Sequence, residues 1–382
     1  MTGAIVATAP CEPVKADRGF RAPHLPALDL LRGFAILGVL WHHLFFKAVF
    51  HTGWWMTSNS PFAFMASWTC NGWLGVNLFF ILSGFVLYLP FAIEQRTFAG
   101  KDDVLEFYRK RARRLLPLYY FSVILLMGVA GRFSAKEYLA LLTCLFNFTN
   151  VTFMPELNAA LWSLGIEIWF SLLFPFFVIC ISRISWRRAL PGILLAALFV
   201  RLLGEASRSF SLGDYDILNP VKDSVIGRMD DFVIGMGIAA LHARGYRVAH
   251  PGRVLILGLA ALTATFTYAD YCFSGALPPL SIALVNTLFQ LSAVLLMLAL
   301  LALNHVRCRP IELIGMMCYS IYIWNFVVII HVAPSAAFTK HPWPSFLEFL
   351  SIMIPLTWLS YRYIEFGHVR QTSQLLPRPL SA

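Results

Sequence analysis

Long apolar runs alternate with short polar segments along this chain. Because an α-helix rises 1.5 Å per residue, about 20 apolar residues are needed to cross the roughly 30 Å of hydrocarbon in a bilayer. The pattern predicts helices, most of them of membrane-spanning length, near residues 30–50, 72–92, 115–131, 136–150, 159–182, 189–204, 226–243, 252–271, 280–303, 311–332 and 346–364.

Composition agrees with a lipid solvent. Of the 382 residues, 58% are hydrophobic and 13% are charged, and the mean hydropathy is +0.68. So much apolar surface cannot be hidden inside one water-soluble core. We therefore predict an all-α, polytopic helical bundle in the membrane. A flexible cytoplasmic tail at 1–27 precedes the transmembrane domain at 28–366, and a cytoplasmic C-terminal tail follows at 367–382.

The positions of lysine and arginine predict the orientation of the bundle, because these residues accumulate on cytoplasmic loops. The N-terminal tail and the loop 94–114 are basic, which puts both inside. The arginine clusters after residue 182 also fall inside only if the segment 136–150 does not cross. That segment is short and ends in the polar stretch "NFTN". We therefore predict about ten transmembrane helices, one re-entrant or peripheral helix, and both termini on the cytoplasmic side of the membrane.

Two further features limit the kinds of function. The seven cysteines show no CxxC or other metal-ligand spacing, and most lie in apolar runs, where a thiol behaves as a small hydrophobic group. We therefore expect no disulfide framework and no metal site, and we expect membrane lipid, not nucleic acid, as a partner. The loop 205–225 is external in the predicted topology and is large enough to contact an external substrate.

The first apolar run, "LDLLRGFAILGVLWHHLFF", carries an acid, a base and two histidines. Residues eleven apart on a helix differ by about 20° in direction and by roughly 16 Å along the axis, so Arg32 and His43 share a face while His42 points about 100° away. A titratable ring deep in a bilayer marks a functional interior by default. The alternative is structural: Asp29 could pair with Arg32 at i, i+3, or the arginine could reach the lipid headgroups.

A second polar intrusion lies in "LWSLGIEIWFSLLFP", where Ser163 and Glu167 share a helical face at i, i+4. Glu167 lies roughly 15 Å from the outer end of its predicted span, at a depth comparable to that of His43. A carboxylate beside an imidazole fixes its tautomer and supports its action as a general base. We predict that the two side chains meet. The alternative is a buried glutamate paired with an arginine, which would lock the bundle.

Basic residues crowd the start of the third run in "FYRKRARRLLPLYY". Arg111 and Arg114, at i, i+3, form a fork suited to a phosphorylated ligand that arrives from the cytosol. The alternative is that these cations bind anionic lipid and set the topology. In "GWLGVNLFFILSGF" the small residues Gly72, Gly75 and Gly84 predict close packing between helices.

These segments resemble the acyltransferase-3 family of multi-pass membrane acyltransferases, from about Leu28 to Glu365. "LDLLRGFAILGVLWHH" resembles the family's Arg-x10-His motif, and "GVNLFFILSGF" resembles its second-helix signature. "RKRARRLLPLYY" resembles its Arg-x-x-Arg element, and "SLGIEIWFSLLFP" its Ser-Leu-x-x-Glu-x-x-Phe motif. "GRMDDFVIGMGIA" and "IGMMCYSIYIWN" also resemble family segments.

The resemblance implies an O-acyltransferase that moves a short acyl group, most simply acetyl, from acyl-CoA to a hydroxyl of a carbohydrate or a lipid-linked glycan. The donor would bind at the cytoplasmic side, and no cofactor would be bound permanently. The implied site consists of the catalytic His43 and Glu167, the donor-binding Arg32, Arg111 and Arg114, and the supporting Asp29, Ser83, Trp162, Ser163 and Arg228.

The sequence departs from the family at three of these motif positions. Ile168 and Ser171 stand where members often carry Glu and Tyr, and Asn325 stands where a histidine is usual. After the last apolar run the sequence contains the short tail 367–382 and no long hydrophilic extension. We therefore expect a stand-alone transmembrane domain without the esterase-like domain that is fused to some members.

Three other interpretations stay open. A covalent route through Ser83 would need a base beside it, which the sequence does not supply. A membrane-bound O-acyltransferase of another class pairs a histidine with an upstream asparagine, and Asn304 and His305 lie at a predicted cytoplasmic span end. A transporter would use the arginine, histidine and glutamate as a proton or anion path, and broken helices at matching positions of a repeat would favour it.

Overall fold

The computed structural model describes residues 25–49, 63–130, 134–148, 153–155, 157–183, 186–207, 218–303, 305–332, 342–367, 369 and 376. Within these residues the chain forms helices and no strand, which confirms the all-α prediction. Most of the two predicted tails, and residues 208–217 of the predicted external loop, lie outside the described residues.

The described residues form thirteen α-helices in chain order. They are α1 (Pro26–Val49), α2 (Ala63–Cys70), α3 (Gly75–Ala92), α4 (Lys101–Ala130), α5 (Ala135–Leu142), α6 (Leu161–Arg183), α7 (Trp186–Ala206), α8 (Met229–Ala243), α9 (Pro251–Phe273), α10 (Ile282–Ala302), α11 (Arg309–Met316), α12 (Cys318–Val332) and α13 (Pro342–Leu359). A π-helical turn, Ser360–Glu365, continues α13, and short 3-10 turns lie at Asn71–Leu74, Phe146–Phe148 and Pro279–Ser281.

Seven stretches of the described chain are long and apolar enough to cross a membrane, and they contain α1, α3, α4, α6, α7, α9 and α10. The consecutive helices α11 and α12 are bent by 75° and make an eighth if they form one broken span. A polytopic membrane bundle is therefore confirmed, whereas the predicted number of ten is not. The predicted spans at α8 and α13 are not among the seven. With 15 residues, α8 is only about 22 Å long, shorter than the hydrocarbon layer.

The described part of the segment 136–150 contains a short helix, which agrees with the prediction that the segment does not span the membrane. Helix α5 has 8 residues, or about 12 Å, and cannot cross a bilayer. It begins with a capping box between Ser134 and Glu137. It is tied to α4 because the hydroxyl groups of Tyr119 and Tyr120 donate to the carbonyl oxygens of Leu141 and Leu142, at 2.6 and 3.0 Å.

Small residues allow the helices around the later site to approach closely. A Cβ added at Gly84 on α3 would overlap the carbonyl oxygen of Phe232 on α8, and one added at Gly72 would overlap that of Gly38 on α1. On the other side of α1, a Cβ at Gly315 of α11 would overlap the carbonyl oxygen of Asp29. The predicted close packing by glycines is confirmed, and it holds α1 between α3 and α11.

Candidate active site

A cavity of about 340 Å³ lies between α1, α3, α4, α6, α11, α12 and the π-helical turn. Along α3 its lining runs from Val76 to Leu87, a separation of eleven positions or roughly 16 Å. The walls are mainly apolar, and their side chains include Phe79, Phe80, Val86, Leu115 and Leu164. The cavity is therefore an elongated apolar slot with a small number of polar groups.

Three arginines line this cavity. Arg32 on α1 pairs with Asp29, with 2.9 Å between Nη1 and Oδ1, as the i, i+3 spacing predicts. Arg111 and Arg114 lie one turn apart on α4, and the three arginine side chains are 26%, 18% and 35% exposed. Their guanidinium groups are therefore accessible from the cavity. Each of the three arginines pairs with one carboxylate, that of Asp29, Glu167 or Glu365, so the charges of the three pairs balance.

Glu167 is held by residues of two other helices. Its Oε1 accepts a hydrogen bond from Arg111 Nη2 at 2.5 Å, and both of its oxygens lie 2.9 Å from Ser83 Oγ. Arg111 also donates to Ser171 Oγ, at 3.1 Å from Nε and 2.9 Å from Nη2. Among the described residues, Glu167 makes no hydrogen bond to His43.

The predicted contact between Glu167 and His43 is therefore wrong, and the alternative of a glutamate paired with an arginine is the one found. A guanidinium is always charged, so it compensates a buried carboxylate better than an imidazole that can be neutral. Ser83 consequently has a carboxylate beside it, which the sequence did not indicate. That carboxylate is shared with Arg111.

Glu365, which the sequence reasoning missed as a site residue, holds the second arginine of the fork. Its side chain is 0% exposed and pairs with Arg114, and it also accepts from Ser320 Oγ at 2.7 Å. The guanidinium of Arg114 lies over the ring of Phe366, 4.5 Å from the centroid. The sequence feature that could have identified Glu365 is its position as an isolated acid at the end of the last apolar run, in "YRYIEF".

The two neighbouring histidines face different parts of the bundle. His43 Nδ1 lies 2.5 Å from Oδ1 of Asn325 on α12. His42 is buried, and its Nδ1 lies 2.7 Å from the carbonyl oxygen of Cys70 at the end of α2. The helical period thus separates the two rings as predicted. Asn325 was noted in the sequence only as a departure from the family.

The end of the cavity remote from the arginine pair on α4 lies close to His43. There the hydroxyl groups of Tyr322 and Ser163 are 2.6 Å apart, and both residues line the cavity. A Cβ added at Gly75, next to this end, would lie 3.0 Å from Cγ2 of Val39. Val39 precedes His43 by four residues, or about 6 Å along α1. His43 itself does not line the cavity, but its partner Asn325 donates to the carbonyl oxygen of the lining residue Tyr322.

Two predicted supporting residues lie away from the cavity lining. Trp162 is buried between Phe80 and Phe153, with ring centroids 6.5 and 6.1 Å apart. Arg228 is buried at the start of α8, where it pairs with Asp223 and donates to Asn286 Oδ1 at 2.6 Å. Both side chains therefore stabilise the bundle around the site and do not contact the space where a ligand would bind.

The polar groups of the cavity suit an anionic ligand. In the part of the chain that the structure describes, no three His, Cys, Asp or Glu side chains form a group that could hold a metal ion. The cavity instead offers arginines and hydroxyl groups at the edge of apolar walls. This set fits a ligand that combines phosphate groups with a long, weakly polar chain.

Comparison with known proteins decides the family. The family model of acyltransferase-3, described as an acyltransferase domain, matches residues 25–364. The chain belongs to this family. The resemblance given by the motifs is thereby confirmed.

Two curated relatives are similar over most of this chain. The O-acetyltransferase OatA of Staphylococcus aureus (strain NCTC 8325 / PS 47) is 23% identical over 381 residues, which cover 92% of this chain and 58% of the relative. The peptidoglycan O-acetyltransferase OatA of Listeria monocytogenes is 23% identical over 386 residues, which cover 92% of this chain and 57% of the relative. The chain therefore spans less than two thirds of the length of these relatives. No solved structure matches it significantly.

Proposed function

We propose that the protein is a membrane O-acetyltransferase that moves an acetyl group from acetyl-CoA to a hydroxyl of a carbohydrate acceptor. The observation that carries the proposal is the elongated cavity, which is lined by three arginines and by Tyr322, the residue whose carbonyl oxygen accepts from the His43 partner Asn325. Peptidoglycan is the acceptor class named for the relative from Listeria, and a glycan of that kind is the acceptor that we propose here.

The donor fits the cavity by charge and by shape. Arg32 and Arg114 would contact the phosphates of coenzyme A, because a guanidinium matches phosphate oxygens in a bidentate manner. Arg111 is more fully engaged with Glu167 and Ser171, and it would add charge at the same end. The apolar walls would enclose the pantetheine chain. The positive-inside rule supports a cytoplasmic position for the arginine end, with both termini inside a bacterial inner membrane.

His43 would act as the base in a direct transfer. Its ring nitrogen would take the proton of the acceptor hydroxyl while the hydroxyl oxygen attacks the thioester carbonyl carbon. A C–O bond forms, the C–S bond breaks, and the coenzyme A thiolate receives the proton from the imidazolium. Asp29, Ser83 and Glu167 would keep the arginine groups in place around the donor.

The transporter alternative lacks a supporting observation. It would be favoured by broken helices at matching positions of two repeats. Within the described residues, one pair of helices, α11 and α12, is bent at a short break, and no second bent pair matches it.

Membrane vesicles with and without the protein provide the test. We expect vesicles that contain the protein to transfer label from radiolabelled acetyl-CoA to added peptidoglycan fragments as a base-labile ester, and mass spectrometry should locate one added acetyl group per modified sugar. Vesicles from cells that carry the empty vector are the control. Equal labelling in the two preparations, or label in lipid alone, would contradict the proposal.

A further inference from the structure

The orientation of the Asn325 side chain is fixed by its surroundings. The residue is buried, and its Nδ2 donates to the carbonyl oxygens of Ile321 and Tyr322, at 3.2 and 2.6 Å. The reverse orientation would place the amide oxygen against two carbonyl oxygens, which cannot donate. Oδ1 is therefore the atom that faces His43, at 2.5 Å from Nδ1.

This orientation determines which nitrogen of His43 carries hydrogen. An amide oxygen only accepts hydrogen bonds, so Nδ1 of His43 must be the donor. A neutral imidazole has one N–H group, and Nε2 is consequently the nitrogen with a free lone pair. The ring of Phe326 lies edge-on to His43, with 5.4 Å between the centroids, and restricts rotation of the imidazole.

We propose that Asn325 is a positioning residue that holds His43 in the Nδ1–H tautomer and thereby makes Nε2 the proton acceptor. The inference rests on the proposed role of His43 as the base. A carboxylate would hold the same tautomer, but the carboxylate predicted from the sequence, Glu167, is paired with Arg111. A neutral amide performs this task without placing a second negative charge inside the bundle.

The tautomer can be measured without any enzymatic activity. Protein labelled with ¹⁵N-histidine is placed in lipid bilayers, and solid-state NMR distinguishes protonated from unprotonated ring nitrogens. The difference from a His43→Ala sample isolates the signals of this ring. We expect a protonated Nδ1 and an unprotonated Nε2 in the wild type, and a shift towards Nε2–H or an average of both tautomers in Asn325→Leu. A wild-type ring protonated at Nε2, or an unchanged tautomer in the variant, would overturn the inference.

Kinetics in vesicles then test whether the tautomer matters for transfer. Asn325→Leu should lower kcat about 10- to 100-fold, because it removes the one buried hydrogen bond that holds His43 in the Nδ1–H tautomer. The KM for acetyl-CoA should stay within about twofold, because Asn325 does not line the donor cavity. In a His43→Ala background the same substitution should cause no further loss, because the residue acts through His43.

Asn158→Leu is the matched control. Asn158 is also buried, and its Nδ2 donates to the carbonyl oxygen of Ile323 on the same helix α12, at 2.8 Å, but it does not contact His43. We expect this variant to keep its His43 tautomer and most of its kcat. An equal loss of kcat in the Asn158 and Asn325 variants, or a loss that persists without His43, would show a merely structural role. Wild-type vesicles that fail to transfer acetyl would refute the proposed function, while the NMR result would still decide the tautomer.

Discussion

The pair formed by Arg111 and Glu167 allows a quantitative prediction of stability. In Arg111→Ala the Glu167 carboxylate, 15% exposed, keeps Ser83 as its donor but loses its compensating charge. Removal of one partner from a buried ion pair costs about 3–5 kcal/mol. Because the Arg111 side chain is 18% exposed and the cavity admits water, we expect a smaller loss of about 2–3 kcal/mol in the free energy of unfolding.

A second substitution should restore much of this loss. Glu167→Gln removes the stranded charge, and its amide oxygen can still accept from Ser83. The double variant should therefore be only about 1 kcal/mol less stable than the wild type, although each single variant is destabilised by more than that. The coupling energy between the two positions should be about 2–3 kcal/mol, within the range seen for residues in direct contact.

The assay is equilibrium unfolding in mixed micelles, followed by tryptophan fluorescence, for the wild type, the two single variants and the double variant. Arg109→Ala is the control, because Arg109 has the same charge on the same helix and is exposed. It should change the unfolding free energy by less than about 0.5 kcal/mol. Additive losses for Arg111 and Glu167, within about 0.5 kcal/mol, would refute the reasoning.

Three further outcomes are expected. Arg114→Ala should raise the KM for acetyl-CoA at least about fivefold and the KM for the acceptor much less, since its guanidinium would meet phosphate; equal changes in vesicle kinetics would point to topology or lipid binding instead. Gly84→Val should destabilise the bundle by about 1–3 kcal/mol in the same unfolding assay, because the added atoms would overlap the backbone of Phe232; an unchanged free energy would contradict the close packing. Reporter fusions after Asn150 and after Arg188 should report opposite sides of the membrane, and the same side for both would reject the predicted topology.

Features set by the helical period could be predicted from the sequence. The i, i+3 spacing gave the pair of Asp29 and Arg32, and the 3.6-residue repeat separated His42 from His43. Small residues in a long apolar run indicated close packing at Gly84. Each of these needs only the geometry of one helix, or the fact that neighbouring helices must approach it.

The partners of the buried polar groups could not be predicted in the same way. Glu167 had two candidates in the sequence, and the choice between an arginine and a histidine depends on which helix lies beside α6. Asn325 is 282 positions from His43 in the chain, and nothing local indicates their contact. Glu365 lies at the end of an apolar run, where an acid would ordinarily be exposed to water.

The number of spans shows a similar limit. The apolar run at 226–243 predicts a membrane span. The helix found there begins at Met229, because the residues before it form turns that are held by hydrogen bonds of Asp223 and Arg228. Ion pairs between residues five apart in the chain are not visible in a hydropathy pattern. The helix is consequently shorter than the apolar run that predicts it.

The most direct test of the central claim compares the two adjacent histidines in the vesicle assay with labelled acetyl-CoA, with equal amounts of inserted protein. His43→Ala should lower the rate of transfer about 10²- to 10⁴-fold, the contribution of a positioned general base. His42→Ala should keep most of the activity, because His42 faces the end of α2 and not Asn325. Full activity in the His43 variant, or a loss confined to the His42 variant, would contradict the account.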